Sequence, residues 1–128
     1  MPKTVLIVDD DKSALKVYTD FLRAKGYETL DAPDGERALA LLKETPQVDL
    51  MILDLAMPGM QGEEVMEHMA ANPDWKKIPV IVDTAAGEAG RRLDNVRDRF
   101  KGKLRLTLIS RPSTLQRISE EIQKIIGL

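Results

Sequence analysis

Two hydrophobic periodicities alternate along this chain through five rounds without a break. Val5-Leu6-Ile7-Val8 is an apolar, β-branched run of strand length, the pattern of a strand buried on both faces. Leu15, Tyr18, Phe21 and Leu22 then recur at helical spacing, and Gly26 stops the helix. Residues 27–31 read as a short second strand, and Asp34-Gly35 as a turn that opens a helix with Ala38, Leu39 and Leu42 inward. Leu50-Met51-Ile52-Leu53 is a third buried strand, ended by the loop Met57-Pro58-Gly59-Met60-Gln61-Gly62. Val65, Met66 and Met69 mark a third helix, which Asn72-Pro73 ends. Val80-Ile81-Val82 is the fourth strand, and Leu93, Val96 and Phe100 mark a strongly charged fourth helix. Residues 104–109 read as the fifth strand, and Leu115, Ile118, Ile122 and Ile125 line the last helix.

Strict alternation of strand and helix requires a parallel sheet with helices on both faces. Right-handed crossovers reduce the topologies chiefly to a flavodoxin-like (βα)5 three-layer sandwich with strand order 2-1-3-4-5. The 128 residues are read as a single domain, 1–128. A chain of that size buries roughly two-thirds of its unfolded surface, enough to fold without a disulfide or structural metal. There is no cysteine, which excludes a disulfide framework, a thiolate nucleophile and Cys-based metal sites. Met1-Pro2-Lys3 leads straight into the first strand, too short a segment for a signal-peptide core or a membrane span. The expectation is a soluble, cytoplasmic protein that does not engage a membrane.

In open α/β sheets, ligands bind beyond the carboxyl ends of the strands, where the strand order reverses. Strand one ends in Asp9-Asp10-Asp11, strand three in Asp54, strand four in Asp83-Thr84-Ala85, and strand five in Ser110-Arg111-Pro112. Carboxylates brought together there repel unless a cation neutralises them. An all-oxygen donor set favours a hard cation. Mg²⁺ typically takes one or two carboxylates and completes its shell with water and phosphate oxygens. The pattern therefore suggests a metal and a phosphoryl group sharing one site. The Thr84 hydroxyl and the Arg111 cation would face the phosphoryl oxygens.

The segments VLIVDDD, DLMILDLAMPGMQG and PVIVDTA, with the Arg-Pro after strand five, resemble the response-regulator receiver domain of two-component signalling over essentially the whole chain. The resemblance implies that Asp54 is the phosphoacceptor nucleophile, phosphorylated by a histidine kinase or phosphotransfer protein, and that the protein is not an enzyme in the usual sense. It implies Mg²⁺ as cofactor, held by Asp9, Asp10, Asp54 and the backbone carbonyl of Ala56. Thr84 becomes the switch hydroxyl, and Arg111 stands where the family has a phosphate-pairing lysine. The Arg111–Pro112 bond is expected to be cis if the family's loop is kept. Small Ala56 and Ala86 flank the site, so attacking water enters freely and a short-lived phosphoryl state is expected.

The sequence departs from the family at several positions. Arg111 is a planar fork, whereas lysine is a compact ammonium. Leu108 stands where a switching aromatic is common, Asp83 where an apolar strand residue is common, and the stretch from Thr84 to Arg111 is several residues longer than typical. These departures keep a pseudo-receiver open as an alternative, an interaction module working without phosphorylation. A second alternative is a haloacid-dehalogenase-like phosphatase, suggested by Asp9-x-Asp11-x-Ser13, although it leaves Asp54 and Met57-Pro58 without a role. Simpler structural roles are helix capping for Asp11, a strand-end turn for Asp54, and an ion pair with Asp83 for Arg111. His68 reads as a solvated or partly packed helical residue, and Trp75 as core or loop content.

Charge divides the chain. Residues 1–90 hold 9 Lys/Arg against 17 Asp/Glu, a balance of −8, and residues 91–128 hold 10 against 4, a balance of +6. Residues 91–105 alone carry Arg91, Arg92, Arg97, Arg99, Lys101, Lys103 and Arg105 against Asp94 and Asp98. Most such runs are solvated faces. Receiver domains, however, generally signal through the fourth helix, fifth strand and fifth helix. The resemblance thus implies an acidic output protein docking here, with nucleic acid a weaker candidate because no aromatics interleave. The expected state is a monomer or weak dimer.

Overall fold

The computed structural model describes residues 2–84, 89–110 and 114–127. The elements in chain order are β1 (Thr4–Val8), α1 (Lys12–Ala24), β2 (Glu28–Ala32), α2 (Gly35–Glu44) and β3 (Leu50–Leu53), followed by α3 (Gly62–Ala70), β4 (Val80–Thr84), α4 (Ala89–Phe100), β5 (Leu106–Ser110) and α5 (Leu115–Ile125). All strand pairs are parallel, in the order β2-β1-β3-β4-β5. This is the flavodoxin-like topology expected from the alternation.

The side-chain period of a strand sorts the core into two layers. Val5, Ile7, Leu50, Ile52, Ile81 and Ile109 face α1 and α5, where Leu15, Leu22, Ile118 and Ile122 cover them. Leu6, Val8, Met51, Leu53, Val80 and Val82 face α2, α3 and α4, under Leu41, Met66, Val96 and Phe100. The central strands β1, β3 and β4 are covered on both sides, so they read as continuous apolar runs.

Helix starts follow local capping chemistry. Asp11 caps α1, accepting from the Ser13 and Ala14 amides, as the simple reading of that residue expected. Asp34 caps α2 through the Arg37 amide, and Thr114 caps α5 through the Arg117 amide.

Two strands begin later than the sequence expectation. Tyr27 precedes β2; it is buried in the α1/α5 layer, and its amide still bonds to Leu22 at the end of α1. Residues 104–105 precede β5, because the Leu104 amide remains bonded to the Phe100 carbonyl at the end of α4. Leu104 nevertheless enters the core under α4, so burial alone made it look like strand.

Candidate functional site

The register aligns the ends of three strands. Val8 pairs with Leu53, and Leu53 with Val82, so Asp9, Asp54 and Asp83 are the next residues on adjacent strands. The Asp54 amide bonds to the Val8 carbonyl at 3.0 Å, and the Asp9 amide to the Ala32 carbonyl at 3.1 Å, which carries the ladder one step past the strands. Asp9 and Asp54 are buried and Asp10 is exposed. Carboxylate oxygens of Asp9, Asp10 and Asp54 lie within 4.8 Å of one another.

Backbone donors hold the two buried acids. The Asp11 amide donates to Asp9 Oδ1 at 3.0 Å, and the Ala56 amide donates to Asp54 Oδ1 at 3.3 Å. Three carboxylates this close repel, and a cation bound among them relieves that repulsion. An all-oxygen set with one exposed member suits a hard divalent ion that keeps part of its water shell. Asp11 stands apart, because its carboxylate is used in capping α1. The D-x-D arrangement that a haloacid-dehalogenase-like site would need is therefore not formed.

Thr84 is buried at the end of β4, beside Ser110 of β5. Its neighbour Asp83 is wholly buried on the α1 side of the sheet, where the Tyr18 hydroxyl donates to its carboxylate. Arg111, Pro112, Ala85 and Ala86 lie outside the described residues, and with them the expected phosphate contact and the cis bond. Leu108 is half-buried against the layer beneath α4.

The loop after β3 is built around glycines. Gly59 has φ +70°, a left-handed turn that side chains rarely adopt. At Gly62 a Cβ would come within 2.7 Å of the Asp54 carbonyl oxygen and 2.8 Å of Leu55 Cα. Only glycine lets α3 begin this close to the strand that carries Asp54. The Gln61 side chain, at the N-cap position of α3, donates instead to the Met57 carbonyl at 2.9 Å, bracing the loop internally.

Arg92 of α4 completes this loop. Its guanidinium forks onto Glu63, Nε to Oε2 at 2.7 Å and Nη2 to Oε1 at 2.9 Å. Nη2 also reaches Gln61 Oε1 at 2.5 Å and the Leu55 carbonyl at 3.0 Å. Burial alone would raise the Glu63 carboxyl. The Arg92 hydrogen bond, a backbone bond, and the charges of Arg92 and Arg99 outweigh it and hold that carboxyl below its ordinary value. The sequence places Arg92 among the docking cations; in the structure its side chain is instead turned toward the loop after β3. No local signal marks this, because its partners are 29 to 37 residues away in the chain. Tyr18 has core spacing in the sequence, which does not reveal its bond to Asp83. The out-of-place acid Asp83 was the one sequence clue to its role.

The rest of the basic run lies outward. Arg91, Arg97, Arg99, Lys101, Lys103 and Arg105 are exposed, with Arg97 paired to Asp94 at 2.6 Å and Arg99 paired to Glu67. His68 is exposed near the end of α3. Among the described residues, no helix is long and apolar enough to cross a membrane.

A parallel 2-1-3-4-5 sheet with an acidic cluster at the ends of β1 and β3 defines a receiver-type α/β domain. The chain belongs to the response regulator receiver domain family, whose model it matches over residues 5–105. It is 35% identical over 127 residues to the polar-differentiation response regulator DivK of Brucella anthropi, covering 99% of this chain and 98% of that one. Among solved structures it resembles a putative response regulator from Chloroflexus aurantiacus, with a TM-score of 0.83 at 26% identity and full coverage of both chains. The chemotaxis protein CheY4 of Vibrio cholerae shares the fold, with a TM-score of 0.85 at 22% identity, covering 98% of this chain and 100% of that one.

Proposed function

We infer that residues 1–128 form one receiver unit in which Asp54 accepts a phosphoryl group from a histidine kinase or phosphotransfer protein. The observation that carries this reading is the placement of the Asp54 carboxylate within 4.8 Å of those of Asp9 and Asp10. In the transfer, an Asp54 carboxylate oxygen forms a bond to phosphorus as the donor's phosphorus–nitrogen bond breaks. The imidazole leaves with a proton from solvent.

Asp9, Asp10, Asp54 and the Ala56 carbonyl are the residues that would hold Mg²⁺, which neutralises charge on the phosphoryl oxygens when bound. The Ala56 amide donates to Asp54 Oδ1, which holds the carboxylate in a fixed orientation for attack on phosphorus. Thr84 is the switch hydroxyl and Arg111 the cation that meets the phosphoryl oxygens. The domain is a signalling phosphoacceptor that at most catalyses its own phosphorylation and dephosphorylation. It works in the cytoplasm as a monomer or weak dimer. Phosphorylation shifts an existing equilibrium of the α4-β5-α5 face, where exposed arginines and lysines suit an acidic protein partner.

The test is intact mass after incubation with a small phosphodonor and Mg²⁺, comparing wild type with Asp54→Ala. The expected result is one added phosphoryl group in wild type only, abolished by a chelator. A folded, Mg²⁺-replete wild type that gains no mass would overturn the reading in favour of a pseudo-receiver.

A further inference from the structure

We propose that Arg92 is a positioning residue of the phosphoacceptor site, acting through the peptide plane between Leu55 and Ala56. This inference rests on Asp54 being the acceptor. The Leu55 carbonyl takes two donors, the Gly62 amide at 3.0 Å and Arg92 Nη2 at 3.0 Å, which uses both of its lone pairs. A trans peptide is planar, so its carbonyl and its N–H point in opposite directions. Anchoring the Leu55 carbonyl toward α4 therefore aims the Ala56 N–H the other way, onto Asp54 Oδ1 at 3.3 Å.

The guanidinium can act as an anchor because its own orientation is fixed. Glu63 holds it by two parallel bonds of 2.7 and 2.9 Å, the geometry in which arginine and carboxylate bind most firmly. Gln61 ties it further to the loop, and the Gln61 amide group is itself held by the Met57 carbonyl. Nη2 serves three acceptors with two N–H bonds, so one bond is shared and the loop and helix are held as a unit.

Arg92 sits on α4, between the acceptor loop and the outward face that carries Arg97 and Arg99. A change in the position of α4 is thus felt at the Ala56 amide, and a change at Asp54 is felt at α4. This route does not pass through Leu108, where the aromatic switch residue common in the family is absent. A lysine at position 92 would keep the charge but lose the fork, and with it the fixed direction.

The experiment measures phosphoryl uptake from acetyl phosphate at saturating Mg²⁺, together with the Ala56 amide resonance of the unphosphorylated protein. Arg92→Ala is expected to slow uptake by about tenfold, the scale of one charge-assisted hydrogen bond, and to displace the Ala56 resonance. Arg92→Lys should slow uptake less and shift the resonance in the same direction. Arg37→Ala, which removes an exposed cation paired with Glu44 on α2, should change neither. Wild-type uptake by a folded Arg92→Ala protein overturns the proposal, whatever its resonance does. If wild type itself takes up no phosphoryl group, the acceptor reading fails. The resonance then decides alone: displacement in Arg92→Ala supports the anchoring role, and no displacement overturns it.

Discussion

The Tyr18 hydroxyl on α1 donates to the Asp83 carboxylate on β4, one residue before Thr84. Both side chains are buried, 8% and 0% exposed, in a largely apolar layer, and the bond between them offsets part of the cost of burying their polar groups. The bond ties the first helix to the strand end that carries Thr84. Tyr18→Phe leaves the carboxylate short of a donor and should lower unfolding free energy by about 1.5–3 kcal/mol. Adding Asp83→Val, which removes the other partner, should recover much of that loss. Urea unfolding of the two single variants and the double variant checks this, and simple additivity of the losses would rule it out.

Clustered acids trade stability for metal binding. In the presence of a chelator, Asp10→Asn should melt about 2–5 °C above wild type, because one of three neighbouring charges is gone. Mg²⁺ should raise the melting temperature of wild type well above its shift in the variant. Thermal melts with and without Mg²⁺ decide, and equal Mg²⁺ shifts in the two proteins would exclude the site.

Close approach at Gly62 makes a single methyl group costly. Its Cβ would meet backbone atoms of Asp54 and Leu55, which cannot rotate aside as a side chain would. Gly62→Ala should cost about 1–3 kcal/mol and slow phosphoryl uptake, since α3 must retreat from the acceptor loop. Denaturant unfolding beside uptake kinetics measures both, and wild-type values in each would show that the helix has room to move.

Glu63 gives the protein a pH signature. Burial pushes its carboxyl upward, but Arg92 and the other favourable contacts prevail and hold it below the ordinary 4.5. A carboxyl depressed on folding stabilises the fold above its unfolded value, and the contribution is lost as pH falls through the folded value. Glu63→Gln should therefore destabilise at pH 7, with the difference from wild type shrinking as pH drops below about 4.5. Unfolding at a series of pH values tests this. A constant difference across that range would contradict it.

The outward cations on α4 make a prediction about recognition. Reversing charge at Arg97 and Arg99 should weaken binding of an acidic partner and flatten the salt dependence of its association, while leaving the fold intact. Titrations at several ionic strengths, with and without phosphorylation, provide the check. Unchanged affinity for every partner would remove this face from consideration.

Much of the molecule was legible in the order of residues. Apolar strand runs alternating with helical spacing specify the layers, because a parallel strand buried on both faces has few other ways to be written. The same order places Asp9, Asp10 and Asp54 at strand ends, and the right-handed crossover then brings those ends together. Asp11 could be read as a helix cap because a cap bonds to amides two or three residues away.

What the sequence could not show depends on contacts between distant segments. Arg92 lay within a run of like charges, and nothing local separates an arginine that faces water from one that anchors a carbonyl 37 residues earlier. Tyr18 looked like any aromatic on the inner face of a helix until packing set it against Asp83, 65 residues on. Local patterns reach as far as a turn or a cap, so the sequence by itself determined the elements, their order and the acids at the strand ends. Which polar groups meet inside the fold depends on how helices rotate and settle on the sheet, and that was decided only by the tertiary structure.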